Sequence, residues 1–528
     1  MPEQGPWRAA RPHVVRIVNA VRPRLAGVAA TARPRVARLV RAVKPQLTRI
    51  LGAGTARTWQ YTAGAATAGL ALAAWVVTAA GPWDANGQRT AERDRAAALE
   101  RAGGADHDDD SGTGPGTPRP APSAAAVLTG LGGTAHAADT TGRGKPLADV
   151  LGPLLGVPAL GGSHAAVVVD TATGKRLYGT GADKALTPAS TTKIATAVAA
   201  LSALGPDHRL TTRAALEPGT KKLVLVGGGD PTLTARKNSD GWAGLRTLAT
   251  DTAKALRDRG VHDVTLAYDT SLYAGPDLHP IGVNDNLARV SALMADEGRA
   301  DASTSGPAPR MPDPAAGAAR TFADLLGEAG IKTTAPGPGK ATGRATTVAS
   351  VASPPLSALV ERMLTNSDND IAEALARQTA VATGGPADFD GGARAIAAQL
   401  TKLGLPTAGS VFRDGSGLNR DDRLTANLLT ALLAKAASPA RPDLRPVLTG
   451  LPVAGFTGTL SGRYTDGAAG VVRAKTGTLT GVNSLAGTVV DRDGRLLAFA
   501  FLASDTTNAV EAQAALDATA TALADCGC

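Results

Sequence analysis

The sequence predicts an α/β (α+β) chain, in which short strand pairs and helices follow one another behind a single N-terminal transmembrane helix. Three observations carry that reading. "HAAVVVDTATGKRLYG" alternates as two strands around a Thr-Gly turn that begins with Asp170. "STTKIATAVAALSALG" places apolar residues at helical spacing until Gly205 ends it. Residues 58 to 83 hold no charged side chain, a length that spans a hydrocarbon core as one helix.

The 528 residues allow two or three domains, and a hydrophobic fraction of 43% suits packed globular structure. Aromatic residues make up only 3%, so the core must rest on Ala, Val and Leu. The net charge of +9 raises nucleic acid or an acidic membrane as a partner. Its distribution decides between them. Residues 1–57 carry twelve Arg and Lys against Glu3 alone, and the remainder sums to −2. The basicity belongs to an N-terminal tail, which leaves no case for nucleic acid.

The uncharged span accounts for the charge of that tail. Trp59, Tyr61 and Trp83 sit at the ends of the span like interfacial aromatics, with the cations on its N-terminal side. The expectation is a cell-membrane protein with a single-pass anchor, residues 1–57 cytoplasmic and the rest outside. A cleaved signal peptide is the rival, and it also exports everything beyond the span. Residues 84–145 read as a flexible linker, in which "QRTAERDRAAALERA" extends a few helical turns as a stalk and the composition turns to Gly, Pro, Ser, Asp and Thr from Gly103 to Lys145. Cys526 and Cys528, the two cysteines of the chain, lie too close together to staple the fold and are expected to be an untied tail. They have no metal-ligand spacing with any histidine, and no metal or cofactor is expected.

In "TPASTTKIATA" Pro188 precedes Ser190, which falls at the first turn of a helix, with Lys193 three residues on above the same face. A serine hydroxyl is a poor nucleophile until a base takes its proton, and a lysine serves only when neutral. Burial or a neighbouring cation produces that state. At "TNSDNDIAEALA", Ser367, Asp368 and Asn369 interrupt two helical patterns; Asp370 or Asn369 is expected to cap the second helix, with Glu373 reaching back. "GVVRAKTGTLTGVNSLAGTVV" reads as strand, turn and strand, and puts Lys475, Thr476 and Gly477 on the first strand. A glycine there marks a bulge or a close approach to the backbone, for which a substrate is one candidate.

Ser-x-x-Lys, Ser-x-Asn and Lys-Thr-Gly, in this order, resemble the active-site triplet of penicillin-binding proteins and serine β-lactamases. The resemblance implies the transpeptidase-like fold of that superfamily, an antiparallel sheet flanked by helices. It makes Ser190 the acylated nucleophile and Lys193 its base. Ser367 and Asn369 relay protons and hold the substrate, with Asp368 between them. Lys475 supplies the field that keeps Lys193 neutral, Thr476 and Thr478 bind a substrate carboxylate beside Gly477, and the N–H groups of Ser190 and Thr478 form the oxyanion hole.

"LVLVGGGDPTLT", "PDPAAGAARTFADLLGEAGI" and "FRDGSGLNRDDRLT" look like the low-molecular-mass D-Ala-D-Ala carboxypeptidase/endopeptidase branch, the class C penicillin-binding proteins or S13 peptidases. Residues 146–214 and 355–528 then form the catalytic domain. Residues 215–354 form an inserted smaller α/β domain, trimmed relative to the family and without catalytic residues of its own. "GGGDP" reads either as a plain turn or as a device that positions this insert. The implied substrates are peptidoglycan stem peptides, and β-lactams are the implied covalent inhibitors. A β-lactamase keeps the same motifs and is distinguished by the lifetime of its penicilloyl-enzyme; a non-catalytic penicillin sensor or wall-binding scaffold keeps the fold, and labelling with a fluorescent penicillin decides that alternative. The sequence is silent on oligomeric state.

Overall fold

The computed structural model describes residues 146–464 and 467–527. The basic tail, the anchor, the linker and Cys528 lie outside the described residues. Among the described residues no helix is long and apolar enough to cross a membrane.

Helix α1 (Leu147–Leu155) leads into strand β1 (Ser163–Asp170), which returns as β2 (Arg176–Thr180). Asp170 Oδ1 accepts the N–H groups of Ala172 and Thr173, both at 2.9 Å, and so fixes the predicted hairpin turn. Helix α2 (Thr192–Leu204) is next, and the chain then enters a second unit. That unit comprises β3 (Thr211–Leu216), β4 (Lys222–Val226), α3 (Leu245–Arg257), β5 (Asp263–Asp269), α4 (Pro314–Glu328), β6 (Lys332–Thr333), β7 (Gly337–Pro338) and β8 (Thr346–Ala352). Five helices come after it: α5 (Leu356–Asn366), α6 (Asn369–Ala382), α7 (Phe389–Lys402), α8 (Ala426–Ala437) and α9 (Arg445–Thr449). The chain closes with β9 (Val472–Leu479), β10 (Val482–Val490), β11 (Leu496–Ser504) and α10 (Ala509–Ala524).

The first sheet has the order β2-β1-β11-β10-β9 and is antiparallel throughout. Its β1 pairs with β11 from Ser163↔Ser504 to Asp170↔Leu497, which joins the two ends of the folded region. Because side chains alternate along a strand, the sheet buries both faces. Val167, Ala500 and Leu502 pack against α2 and α5–α9 on one side. Val168, Phe499 and Phe501 pack against α1 and α10 on the other. Helix α2 is buried from Thr192 to Leu201, which explains its Ala-rich, nearly uniform apolar surface.

The second sheet, β6-β5-β4-β3-β8 with β7 beside β5, is built wholly from residues 211–352. Its β4 and β5 are parallel, as a crossover through α3 requires. Of the glycines after β4, Gly227 and Gly228 leave room for this unit's own Ala292 and Thr211 carbonyls, and Gly229 leaves room for the amide of Gln378 on α6. Gln378, on α6, donates to the Gly228 carbonyl at 2.9 Å. Of the two readings of this glycine run, its packing supports positioning.

At the C-terminus, Cys526 is 8% exposed and its carbonyl accepts the Arg492 N–H at 3.3 Å.

Candidate functional site

Ser190 lies on a 3₁₀ turn (Ala189–Thr191) that runs directly into α2. The turn is pinned from below, where Ser484 Oγ on β10 donates to the Pro188 carbonyl at 2.7 Å. Ala189 carries φ 49°, a left-handed conformation that alanine adopts only under tertiary constraint. Helical geometry then sets Lys193 over Ser190, with Nζ 3.0 Å from Oγ.

Lys193 is fully buried, and its Nζ also contacts Asn369 Oδ1 at 2.6 Å and the Ser416 carbonyl at 2.7 Å. Both of these partners are acceptors only. A neutral amine has two N–H bonds and one lone pair, so with both N–H bonds given to those oxygens the lone pair faces Ser190. The Asn369 amide is held in the needed orientation because its Nδ2 donates to the Asn286 carbonyl at 2.9 Å.

Burial pushes Lys193 down from 10.5 to about 8, against the upward pull of Asp414, Glu373, Asp368 and Asp370. Burial, rather than the charge of Lys475, is therefore the leading cause of its shift. Lys475 is itself driven well below the usual lysine range, first by burial, then by the charges of Lys193 and Arg463.

Ser367 is the left-handed C-cap of α5 (φ 58°), and Asp368 is the N-cap of α6, accepting from Ile371 N–H at 3.0 Å. The cap is thus Asp368 rather than Asp370 or Asn369. Glu373 does not reach back to it. Its carboxylate instead accepts the N–H groups of Gly415 and Ser416 and so holds the loop whose carbonyl contacts Lys193. Asp368 is held well above the usual carboxylate range by burial, then by Glu297 and Asp370.

On β9, Lys475 Nζ contacts Ser367 Oγ at 2.9 Å and the Thr476 carbonyl at 2.8 Å. Gly477 faces the nucleophile turn. A Cβ there would sit on the Ser484 hydroxyl and 2.6 Å from the Pro188 carbonyl oxygen, so what approaches this glycine is the protein's own backbone. Thr476 Oγ1 donates to Thr459 Oγ1 at 2.9 Å.

Ser190, Ser367, Asp368, Asn369, Thr476 and Thr478 line one cavity of about 310 Å³. Lys193 and Lys475 lie buried beside it. Asn286, Arg299 and Arg310, from the irregular segment 270–312 of the insert, complete the wall. These residues were not legible in the sequence, because they belong to no motif and arrive through the packing of the second unit.

Among the described residues two side-chain sets bring possible metal-ligand atoms within 4.8 Å of one another: His279 with Glu373 and Asp414, and Glu297 with Asp368 and Asp370. Both are already engaged by hydrogen-bond donors and guanidinium groups, including Arg299, Arg310 and Arg362.

An antiparallel sheet between helical layers, with a serine–lysine pair at one end and a second lysine on the edge strand, defines a protein of the penicillin-binding class. The chain belongs to the D-Ala-D-Ala carboxypeptidase 3 (S13) family, whose profile matches residues 147–309 and 300–523. It is 39% identical over 399 residues to the carboxypeptidase DacB of Mycolicibacterium smegmatis, covering 73% of this chain and 85% of that protein. It is 32% identical over 452 residues to a D-alanyl-D-alanine carboxypeptidase of an Actinomadura species, covering 70% and 83%. The solved penicillin-binding protein 4 of Haemophilus influenzae superposes with a TM-score of 0.57 at 22% identity, covering 68% of this chain and 94% of that one. A second structure of that protein is a complex with a β-lactam.

Proposed function

We infer that this chain is a serine-type D-Ala-D-Ala carboxypeptidase/endopeptidase that remodels peptidoglycan stem peptides and is acylated by β-lactams. One observation carries the reading: Lys193 Nζ gives its two donor directions to Asn369 Oδ1 and the Ser416 carbonyl and meets Ser190 Oγ with the third. In the proposed reaction Ser190 Oγ attacks the carbonyl carbon between two D-alanines, and its proton passes to Lys193. The N–H groups of Ser190 and Thr478 stabilise the oxyanion of the tetrahedral intermediate. The C–N bond then breaks, and the leaving amine takes the proton held by Lys193 by way of the Ser367 hydroxyl, while the Asn369 amide keeps its hydrogen bonds to Lys193 and the Asn286 carbonyl. Water hydrolyses the acyl-enzyme. Thr476 and Thr478, with the Lys475 amine behind them, receive the carboxylate of the terminal residue. No step uses a metal or cofactor.

The decisive experiment is labelling with a fluorescent penicillin beside D-alanine release from purified stem peptides. Ser190→Ala should lose both. A variant that still labels or still releases D-alanine overturns the assignment of the nucleophile. Monomeric and cross-linked muropeptides separate the carboxypeptidase and endopeptidase reactions. Turnover of the penicilloyl-enzyme within seconds would make the protein a β-lactamase instead.

The catalytic part is proposed to lie outside the cell membrane, held there by residues 58–83. The uncharged span, its aromatic ends and the cationic flank support this. Protease accessibility of the catalytic part on intact spheroplasts tests it.

A further inference from the structure

His279 belongs to none of the three motifs and comes from the inserted unit, yet it stands behind the catalytic lysine. It is 2% exposed and lies edge-on to Phe389, with ring centroids 5.1 Å apart. Its Nδ1 accepts the Ile281 N–H at 3.2 Å, so the ring proton sits on Nε2, 3.0 Å from Asp414 Oδ2. Asp414 winds its own loop around its carboxylate, with Oδ1 accepting from Gly417 N–H at 2.6 Å and Oδ2 from Asn419 N–H at 2.7 Å. The same loop presents two carbonyls to α2: Ser416 to Lys193 Nζ at 2.7 Å and Gly415 to Thr196 Oγ1 at 2.6 Å. Gly417 closes against the Ala189 carbonyl, next to the nucleophile. A chain of hydrogen bonds therefore runs from a ring in the insert, through Asp414 and its loop, to the amine in the catalytic domain.

We propose that His279 is a positioning residue for the base: by donating to Asp414 it holds the Ser416 carbonyl where one Lys193 N–H needs it, which keeps the amine's lone pair on Ser190. The inference rests on the reading of Ser190 and Lys193 as nucleophile and base. A metal-binding role for His279 is disfavoured by the engagement of both ring nitrogens. A purely packing role would be met by any aromatic ring against Phe389, and this is the alternative to test.

The test uses the full chain and measures acylation by a fluorescent penicillin from pH 6 to 10, with melting temperature as a check on folding. The proteins are wild type, Ser190→Ala, His279→Phe and His279→Gln. Phenylalanine keeps the ring and removes the donor, whereas the glutamine amide reaches to about the place of Nε2. His279→Phe should acylate roughly ten-fold or more slowly, with the loss in the acylation step and not in penicillin affinity. Its pH midpoint should rise, because an Asp414 carboxylate that has lost the His279 donor, and keeps only Asp422, Ser416 Oγ and the Gly417 and Asn419 N–H groups, favours the charged form of Lys193 more strongly. His279→Gln should stay within about three-fold of wild type. If His279→Phe does not fold, His279→Asn takes its place, since its shorter amide falls short of Asp414; it should be slow where glutamine is not. Wild-type rates and an unchanged pH profile in a folded donor-less variant would overturn the proposal, as would equal losses in glutamine and donor-less variants. Failure of the wild type itself to label would overturn both the parent reading and this one.

Discussion

Lys475 Nζ lies 2.9 Å from Ser367 Oγ, so the amine of the third motif ends on the hydroxyl of the second, 108 residues earlier in the chain. Both lysines of the site are fully buried, and after burial the charge of Lys193 adds to the cost of charging Lys475. Replacing Lys475 by alanine should slow acylation by about 10²–10³-fold, the usual loss when one preorganised charge or donor is removed from an acyl-transfer site. Lys475→Arg should recover little, because a planar guanidinium does not occupy a slot shaped for one ammonium. Rate constants for penicillin labelling of the two variants check this.

The reaction should speed up with rising pH. A base must be unprotonated, and a lysine brought from 10.5 to about 8 has its neutral fraction at pH 7 raised from roughly one in three thousand to roughly one in ten. Acylation should therefore climb about ten-fold per unit below pH 7.5 and level off above about 8.5. Stopped-flow labelling across that range gives the midpoint. A rate constant flat from pH 6 to 9 would remove Lys193 from the role of titrating base.

Gly477→Ala should destabilise the protein by about 1–3 kcal/mol, because the new methyl meets the Ser484 hydroxyl and the Pro188 carbonyl oxygen. Labelling should slow as well, since Pro188 opens the turn that carries Ser190. Adding Ser484→Ala should recover only part of the loss, because the Pro188 carbonyl remains 2.6 Å away. Melting temperatures of the single and double variants decide it.

Asp368, held above the usual carboxylate range by burial and then by Glu297 and Asp370, accepts the Ile371 N–H at 3.0 Å. Asparagine supplies the same acceptor and replaces the second carboxyl oxygen with an N–H donor. Asp368→Asn should thus cost within about 1 kcal/mol of stability. Asp368→Ala loses both the cap and the partner and should cost about 2 kcal/mol or more. Chemical denaturation of the two variants distinguishes them, and equal losses would mean that the cap and its neighbour are not what asparagine preserves.

What was legible in the sequence was local. The hairpin at Asp170, the helix entered at Ser190, the break at Ser367 and the strand of Lys475 each arise from a pattern within about twenty residues. What stayed hidden depends on contacts between distant segments. Glu373 sits where a capping partner would, but it is drawn to the N–H groups of Gly415 and Ser416 because the 414–419 loop packs over α6. Gly477 signalled a close approach, yet nothing in its neighbours names Pro188 as the group approaching. His279, Asn286 and Arg310 reach the site from a segment without regular structure, which no periodicity marks. The weight of burial over charge in setting Lys193 likewise appears only once α2 is seen enclosed on every side.

The pairing of β1 with β11 has a consequence for when the enzyme can work. Ser190 and Lys193 are made early, but the sheet that supports them closes only when residues 496–504 lie against residues 163–170. Such long-range closure comes late in folding. A nascent or C-terminally clipped chain therefore carries the nucleophile without the means to use it. The order of synthesis itself withholds a wall-cutting activity until the last strand has been delivered.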